Sequence, residues 1–336
     1  MAYLMGEQIQ IGVGREGTRG TAVAPQAWIP ARTPTGISTV TERATIRETR
    51  GTGIMSQGVE IVNSRAEGDL EFNVRNTSIG YILASLLGAP VSAQEGSTGA
   101  YTHTFTRQTS GPQFPSLTLG LSQAGTFQDY QYPLGVVNSL ELRTPVDDLV
   151  NATVNFVAKQ ENEVSAYTPA FDETADILFR NHDIIIKIAN DVSGLDAATG
   201  ICLKELTLNI ANNTRPNVCI GGANPSDIFS LITEITGSFV ADYEDSDYYD
   251  IFKEGTYKAM RITMERDDLP VLGTASTLYP LVQIDLPKVS FEGYTPDRPI
   301  DDIVMENIEF TAHYDTDEAE AITVLVHNEQ ATYAAA

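Results

Sequence analysis

Two segments in different halves of the chain have nearly the same sequence. Residues 146–158 read VDDLVNATVNFVA, and residues 300–312 read IDDIVMENIEFTA. After two aspartates, each places apolar side chains at alternate positions, the period of a strand with one buried face. The positions expected to face a core are Val154, Phe156 and Ala158 in the first copy and Ile308, Phe310 and Ala312 in the second. A chain that repeats a strand in this way is expected to repeat the sheet around it.

A second alternating segment precedes each copy and predicts the partner strand of a hairpin. Its apolar positions are Leu140 and Leu142 in the first half and Val289 and Phe291 in the second. Thr144-Pro145 and Thr295-Pro296 predict the connecting turns, because proline presets the backbone angle that a turn requires. Asn155 and its counterpart Glu309 are expected on the face opposite to the core.

Further matched residues occur in the same order. Residues 78–88 and 247–260 each predict one helix, the first from apolar residues at helical spacing. At one constant offset, Gly68, Leu70 and Leu83 correspond to Gly237, Phe239 and Phe252. The sequence therefore predicts a mainly β fold that arose by internal duplication, with two tandem antiparallel β-sandwich or partly closed barrel domains, each with a flanking α-helix.

Changes in periodicity suggest the boundaries. Residues 1–35 are rich in glycine and proline and predict an N-terminal arm, followed by a first β-sandwich domain over 36–160. Periodicity is lost over 161–178, which predicts a linker. A second β-sandwich domain is expected over 179–316, and a C-terminal tail over 317–336.

The formal net charge of −24 is concentrated in the second half. Residues 1–160 contain 13 acidic and 11 basic side chains, a net charge of −2, whereas residues 161–336 contain 32 and 10, a net charge of −22. Tight nucleic-acid binding depends on Lys and Arg at phosphates, so this composition argues against a protein that grips DNA. It is compatible with a surface that DNA passes without sticking, and equally with acidic side chains that only maintain solubility.

No segment has the ~18 consecutive apolar residues of a membrane helix, and the first residues lack the order of a secretion signal. We therefore expect a protein that stays in the cytoplasm in which it is made. Cys202 and Cys219 are then expected to be unpaired thiols with buried or half-buried side chains. The histidines have no zinc-like spacing to Cys or Glu; they are His103, His182, His313 and His327.

The motifs that suggest chemistry have simpler structural interpretations. Residues 12–17 fit G-x-G-x-x-G, but the prolines that follow prevent the long helix that a dinucleotide site requires. Asp147-Asp148 and Asp301-Asp302 resemble catalytic carboxylate pairs, yet neighbours in an extended chain point apart, and their repetition suggests a turn. The acidic run 242–250 lacks the glycine and glutamate spacing of a calcium loop, and its residues 245–247 are better explained as a helix cap. We predict no catalytic, cofactor-binding or metal-ligating residue.

The first half resembles the tail tube proteins of long, non-contractile-tailed bacteriophages. The resemblance is one of pattern and segment order, and it covers most of residues 14–159. The resembling segments are GREGTRGTAVAPQAWIPA at 14–31, VEIVNSRAEGDLEFNVRNTSIGYILASLLG at 59–88, GAYTHTF at 99–105, PSLTLGL at 115–121 and VNSLELRTPVDDLVNATVNFVAK at 137–159.

This resemblance implies a structural virion protein that assembles in the host cytoplasm. Its subunits would join their sheets into rings, and the rings would stack into a hollow tube through which genomic DNA leaves the capsid. The resemblance also implies a tape measure protein, a tail tip and a tail terminator as partners, and an acidic inner wall. The loop that reaches the next ring would correspond to residues 43–66, and residues 217–230 are expected to be a similar loop.

If the second half is another copy of the fold, three chains would supply the six domains of a ring. We therefore expect a homotrimeric ring with pseudo-sixfold symmetry, closed by pairing of exposed sheet edges. The charge distribution adds the hypothesis that the second domain supplies more lumen-facing acid than the first, with Glu309 as a candidate.

Two other functions are compatible with the composition. A two-domain β protein of this size also suits a virion decoration or adhesion protein that binds a cell-surface glycan. Its only tryptophan, Trp28, lies in the predicted arm, which disfavours an aromatic sugar platform. A hydrolase is the third alternative and has the least support.

Overall fold

The computed structural model describes residues 3–33, 37–49, 51, 53, 56–123 and 127–335. In the first half the strands and helix are β1 Ile9–Arg15, β2 Ala27–Ile29, β3 Ala31–Thr33, β4 Ser38–Ile46, β5 Gly58–Asn73, α1 Ile79–Leu86, β6 Val91–Gln94, β7 Tyr101–Thr106, β8 Leu117–Gln123, β9 Asp129–Pro145, β10 Asn151–Ala158 and β11 Asn162–Val164. In the second half they are β12 Ile184–Ala189, β13 Leu203–Ala211, β14 Arg215–Asn217, β15 Asp227–Phe229, β16 Glu234–Asp242, α2 Asp247–Glu254, β17 Lys258–Glu265, β18 Leu281–Asp297, β19 Met305–Ala312 and β20 Thr323–Asn328. The predicted mainly β, antiparallel fold is confirmed, and the sheets do not close into a barrel. In the described ranges no helix is long and apolar enough to cross a membrane.

The two halves repeat one strand order. In the first, the N-terminal part of β9 pairs with β8, which pairs with β1, while the C-terminal part of β9 pairs with β10, which pairs with β5 and then β4. In the second, the N-terminal part of β18 pairs with β17, which pairs with β12. The C-terminal part of β18 pairs with β19, which pairs with β16 and then β13. One long strand therefore connects two sheets in each repeat.

The registers of the repeats agree residue by residue. Asn155 pairs with Asp69 in the first repeat, and the corresponding Glu309 pairs with Ser238 in the second. Leu140 and Leu142 pair with Val154 and Ala152. Val289 and Phe291 also pair with β19, opposite Ala312 and Phe310, but the residues in register with Leu140 and Leu142 are Tyr294 and Pro296. Both repeats have a β-bulge at the corresponding position, where the pairing skips Asn138 in the first repeat and Glu292 in the second.

The two repeats share one sheet, because β9 pairs with β13. The resulting strand order is β4-β5-β10-β9-β13-β16-β19-β18. One face of this sheet is apolar and buried, and the other is polar. The buried face includes Leu70, Phe72, Leu140, Leu142, Val154, Leu206, Leu208, Ile210, Phe239, Ile308 and Phe310.

Each repeat carries one helix against this buried face, as predicted. Every residue of α1 is buried, in keeping with a helix that has no charged side chain. Helix α2 is amphipathic, with Tyr248 packed on Phe239 at a ring distance of 5.5 Å and its charged residues exposed. It ends at Gly255, which has φ of 66°, so the prediction of a helix through residue 260 was too long, since a left-handed glycine terminates helices.

The termini differ from the prediction. Residues 9–33 are not a free arm, because β1 pairs with both β2 and β8 and buries Ile11 and Val13. The glycines that suggested an arm allow close packing, since a Cβ at Gly12 would overlap Pro25. Residues 317–335 are not a free tail either, because β20 pairs with β7 and β18. The boundaries between the domains stay predictions.

The predicted hairpin turns were also misplaced. Pro145 lies in β9 opposite Glu205, and Pro296 lies in β18 opposite Glu306. Proline is tolerated near the end of a strand or at a sheet edge, where its missing N–H disrupts little pairing. The connections themselves span 146–150 and 298–304.

The C-terminal segment ends inside the first repeat. The ring of Tyr333 is fully buried against α1, 5.0 Å from the ring of Tyr81. Its hydroxyl donates to the carbonyl of Thr77 at 2.8 Å and accepts from Asn328 Nδ2 at 2.6 Å. Gly80 faces this ring, and any Cβ there would overlap it. The last residues of the chain therefore hold the first helix in place.

We expect Tyr333→Ala to reduce the free energy of unfolding by about 3–5 kcal/mol, the usual cost of removing a buried aromatic ring. Tyr333→Phe should cost about 1 kcal/mol, because it removes only hydroxyl hydrogen bonds. Urea unfolding of the monomer measures both. Tyr3→Ala is the control, since Tyr3 is 85% exposed. Equal unfolding midpoints for Tyr333→Ala and Tyr3→Ala would show that the buried ring contributes nothing.

Candidate assembly surface

The shared sheet has two free edges in the described part of the chain. At one end, β3 and β4 pair only with β5. At the other end, residues 290–297 of β18 pair only with β19. These strands correspond by register to β13 and β9, which pair with each other inside the chain. The chain thus contains one complete copy of a strand junction and the two unpaired halves of another.

The internal junction joins the repeats through both faces of the sheet. On the buried face Leu142 lies opposite Leu208. On the polar face Arg143 Nη2 lies 2.6 Å from Glu205 Oε1, and its Nε donates to the same oxygen at 2.7 Å. Both side chains are partly solvent-exposed, so this pair contributes little stability and mainly favours one register.

The polar face carries more acidic than basic side chains. Asn155 Nδ2 donates to Asp69 Oδ1 at 2.7 Å, and Asn138 Nδ2 donates to Asn155 Oδ1 at 3.1 Å, so its polar groups are connected across strands. The carboxylates that the register places on this face are Glu42, Glu67, Asp69, Glu71 and Glu141 from the first half and Glu205, Glu234, Asp242, Asp297 and Glu309 from the second. The two halves thus contribute similar numbers of carboxylates to this face, and the hypothesis that the second domain supplies more lumen-facing acid stays a prediction.

A long hairpin extends beyond the first repeat at its free edge. Residues 41–46 of β4 pair with residues 58–64 of β5, and this hairpin contains most of the segment 43–66 that was expected to reach another ring. Residues 52, 54 and 55 near its tip lie outside the described residues. Several of its apolar side chains are exposed, namely Val59, Ile61 and Val62.

The corresponding segment of the second repeat folds back onto the first. Arg19 Nη2 lies 2.7 Å from Asp227 Oδ1 and also donates to the carbonyl of Ile228. Ile228 is fully buried and clusters with Leu134, Val136 and Val157. Residues 227–230 of the predicted loop 217–230 are thus held by contacts within the chain, whereas residues 218–224, including Ile220, are exposed.

The paired aspartates occupy turns. Asp148 Oδ1 accepts from the amide of Leu149 at 2.8 Å, and Asp302 Oδ1 accepts from the amide of Ile303 at 2.8 Å. The pKa of Asp148 is lowered by this amide and then by Arg32, whose Nη1 lies 2.9 Å from Asp148 Oδ2. This repeated bond favours the structural interpretation of the two Asp-Asp pairs.

The other candidate motifs also have structural positions in the fold. Gly12 and Gly14 lie within β1, which no helix follows. His103 is buried and contacts Ser92 and the carbonyl of Gln330, and burial lowers its pKa. Cys202 and Cys219 are free thiols, as expected, but the prediction that they are buried or half-buried was wrong, because both are exposed. Across the described ranges no group of three or more His, Cys, Asp or Glu side chains is arranged to hold a metal ion.

The acidic run 242–250 forms one side of a cleft of about 840 Å³ in the second repeat. Ser246 directly precedes α2, as the cap prediction required, but the side chain that contacts the first helical amide is Asp245, whose Oδ1 accepts from Asp247 at 2.9 Å. The acidic cleft is lined by the carboxylates of Asp191, Asp242, Glu244, Asp245, Asp247 and Glu306.

Glu306 is the unusual member of the acidic cleft. It is only 1% exposed, and its Oε2 has no hydrogen-bond partner among the described residues. Burial raises the pKa of its carboxyl, although a hydrogen bond with the Tyr294 side chain acts in the opposite direction. Burial, followed by the charge of Glu306, raises the pKa of the neighbouring Tyr248 to about 12. An ionised carboxylate at this position is costly unless a cation approaches it.

We expect Glu306→Gln to stabilise the isolated chain at pH 7. Because the folded-state pKa is raised, the wild-type carboxyl contributes most stability when protonated and loses it as the pH rises through that pKa. The gain from glutamine should therefore shrink as the pH falls through the raised pKa of Glu306 towards the ordinary glutamate value of 4.5. Thermal unfolding from pH 3 to 8 tests this, with exposed Glu309→Gln on the same strand as control. A gain that is independent of pH would contradict the expectation.

Comparison with known proteins supplies the family. No curated protein gives a significant match to the chain. A family model described as phage tail tube protein matches residues 6–312, which include both repeats. The antiparallel fold agrees with that match, and the family places the protein in the virion as a structural component of the tail. The chain therefore belongs to the phage tail tube protein family.

Proposed function

We propose that three copies of this chain close into one ring of the tail tube, with pseudo-sixfold symmetry. The observation that carries this proposal is the pairing of β9 with β13 inside the chain. That junction joins the end of one repeat to the start of the next. Repeating it between chains joins β18 of one copy to β3 and β4 of its neighbour, so the shared sheet has no unpaired edge strand in the closed ring.

The internal junction also defines the register between chains. Glu141 of β9 pairs with Asn209 of β13. Their counterparts, by the matched registers, are Thr295 of β18 and Ser38 of β4. In the ring, Thr295 of one chain therefore lies opposite Ser38 of the next.

The polar face of the shared sheet becomes the inner wall of the ring. Its opposite face is covered by the two helices and the second sheets, so only the polar face is available to line a lumen. The carboxylates on this wall outnumber the basic side chains Arg65 and Arg143, so the wall is negatively charged. DNA phosphates are also negatively charged, and the wall therefore does not bind DNA tightly. Both repeats contribute to this wall, which suits passage of DNA during delivery into the host.

The stacked rings form the tube. A tail of this kind requires further tail proteins, and we propose a tape measure protein inside the tube, a tip that starts assembly and a terminator that ends it. The chain assembles with them in the host cytoplasm. The polar wall and the family match, rather than a pocket for a substrate, support this role.

A disulfide across the proposed junction tests the ring. Residues opposite each other in antiparallel strands have Cα atoms about 4.5–5.5 Å apart, within disulfide range. In a chain with Cys202 and Cys219 replaced by serine, we expect Ser38→Cys with Thr295→Cys to form bonds between chains. Non-reducing electrophoresis should show species of two and three chains, with three as the limit.

The matched control is Ser38→Cys with Glu292→Cys, because Glu292 is exposed on the same strand but out of register. A ladder that continues to six chains, or crosslinking that is equal in the control, would overturn the trimeric ring and its register. Counting subunits in electron-microscopy averages of the rings provides an independent check.

A further inference from the structure

Each repeat has a groove at the same place in the fold, and the groove is filled in the first repeat but open in the second. In the first repeat the groove lies between the end of β1 and the start of α1, and the chain's own C-terminal segment fills it. Tyr333 is buried there, and Arg15 Nη1 donates to its carbonyl oxygen. Asn328 Nδ2 donates to the carbonyl of Asn76 at 2.8 Å. This groove is closed to any other ligand.

The corresponding groove in the second repeat is the acidic cleft. The described residues contain no segment that fills it as the C-terminal segment fills the first groove. By register, Arg15 is replaced by Asn190, which accepts a hydrogen bond from Lys258 Nζ at 2.6 Å, so one basic side chain remains among the carboxylates of the cleft. Carboxylates stand where the first repeat has neutral residues: Asn76, Ser78 and Ala152 correspond to Asp245, Asp247 and Glu306. The groove has kept its shape and changed the charge that it selects.

The buried carboxylate specifies a cationic ligand. Glu306 lines the cleft and its Oε2 has no hydrogen-bond partner among the described residues, so a donor that enters the cleft from outside the chain would satisfy it. The described carboxylates lack a metal-holding arrangement, which disfavours a bound ion. A guanidinium suits this site, because it forms short, charge-assisted hydrogen bonds with carboxylates and its stem packs on apolar side chains such as Tyr248 and Ile251.

The β4–β5 hairpin presents such side chains. Residues 43–50, RATIRETR, contain three arginines and one glutamate, and Arg43 and Arg47 are exposed. The hairpin tip lies at the N-terminal end of β5, whereas the acidic cleft lies at the C-terminal end of β16. These two strands run in the same direction in the shared sheet, so the hairpin and the cleft lie at opposite ends of it.

We propose that the acidic cleft of one chain binds an arginine of the β4–β5 hairpin of a second copy in the next ring. Head-to-tail stacking brings opposite ends of the sheet together, which is the geometry that an open, repeating contact requires. Each chain has one extended hairpin and one open cleft. Successive rings can therefore stack in only three equivalent rotational positions, although each ring has pseudo-sixfold symmetry. This inference rests on the proposed ring.

Charge reversal in covalently closed rings tests this contact. The rings carry the Ser38→Cys and Thr295→Cys crosslink, so ring closure is scored separately from stacking. We expect Arg47→Glu or Glu244→Arg to shorten the mean tube length about tenfold or more, because like charges across an interface cost several kcal/mol. The two changes together should restore at least part of the length. Negative-stain electron microscopy and sedimentation measure the length.

Three controls make the result specific. Glu173→Arg reverses an exposed carboxylate outside the cleft and should leave tube length unchanged. Glu306→Gln keeps the shape of the buried side chain and should shorten tubes while rings still form. Added Ca²⁺ should not replace the hairpin in the Arg47→Glu variant. Tubes of normal length in both single reversals, no recovery in the double reversal, or rescue by Ca²⁺ would overturn the proposal, whereas absence of crosslinked rings would instead refute the ring.

Discussion

The pairing of β9 with β13 is the interaction on which the architecture depends. It converts two copies of a small sheet into one sheet of eight strands and leaves complementary edges at its two ends. Backbone hydrogen bonds dominate such a junction, so it tolerates divergence of the side chains between repeats. The same property explains why an internal junction is a good template for one between chains.

Duplication has allowed the repeats to specialise. The first repeat keeps the long hairpin and has its groove closed by Tyr333, whereas the second has its corresponding loop held by Arg19 and its groove open. Six identical subunits would have to carry every feature in every position. A tandem chain can assign a projecting element to one repeat and a receiving element to the other, and in the proposed tube this would fix the angular registry of stacked rings.

The acidic charge serves more than one role in this fold. Carboxylates on the polar sheet face come from both repeats in similar numbers, so the strong negative charge of the second half lies mostly in its loops and around α2. A net charge of one sign keeps free subunits apart until assembly and disfavours sticking to DNA. The buried Glu306 differs from these surface groups, because its ionisation is unfavourable until a cation is supplied.

The sequence by itself determined the duplication, the strand faces and the two helices, because side-chain alternation and spacing are local and both copies retain them. It also assigned Asp148 and Asp302 to turns, since adjacent carboxylates in an extended chain diverge. Only the tertiary structure decided that residues 9–33 and 323–335 belong to the sheets and core, because a short strand's partners lie far away in sequence. It alone showed that Glu306 Oε2 lacks a hydrogen-bond partner among the described residues and that one groove is closed while its counterpart is open. These properties arise from which distant segments meet, and no local pattern encodes that.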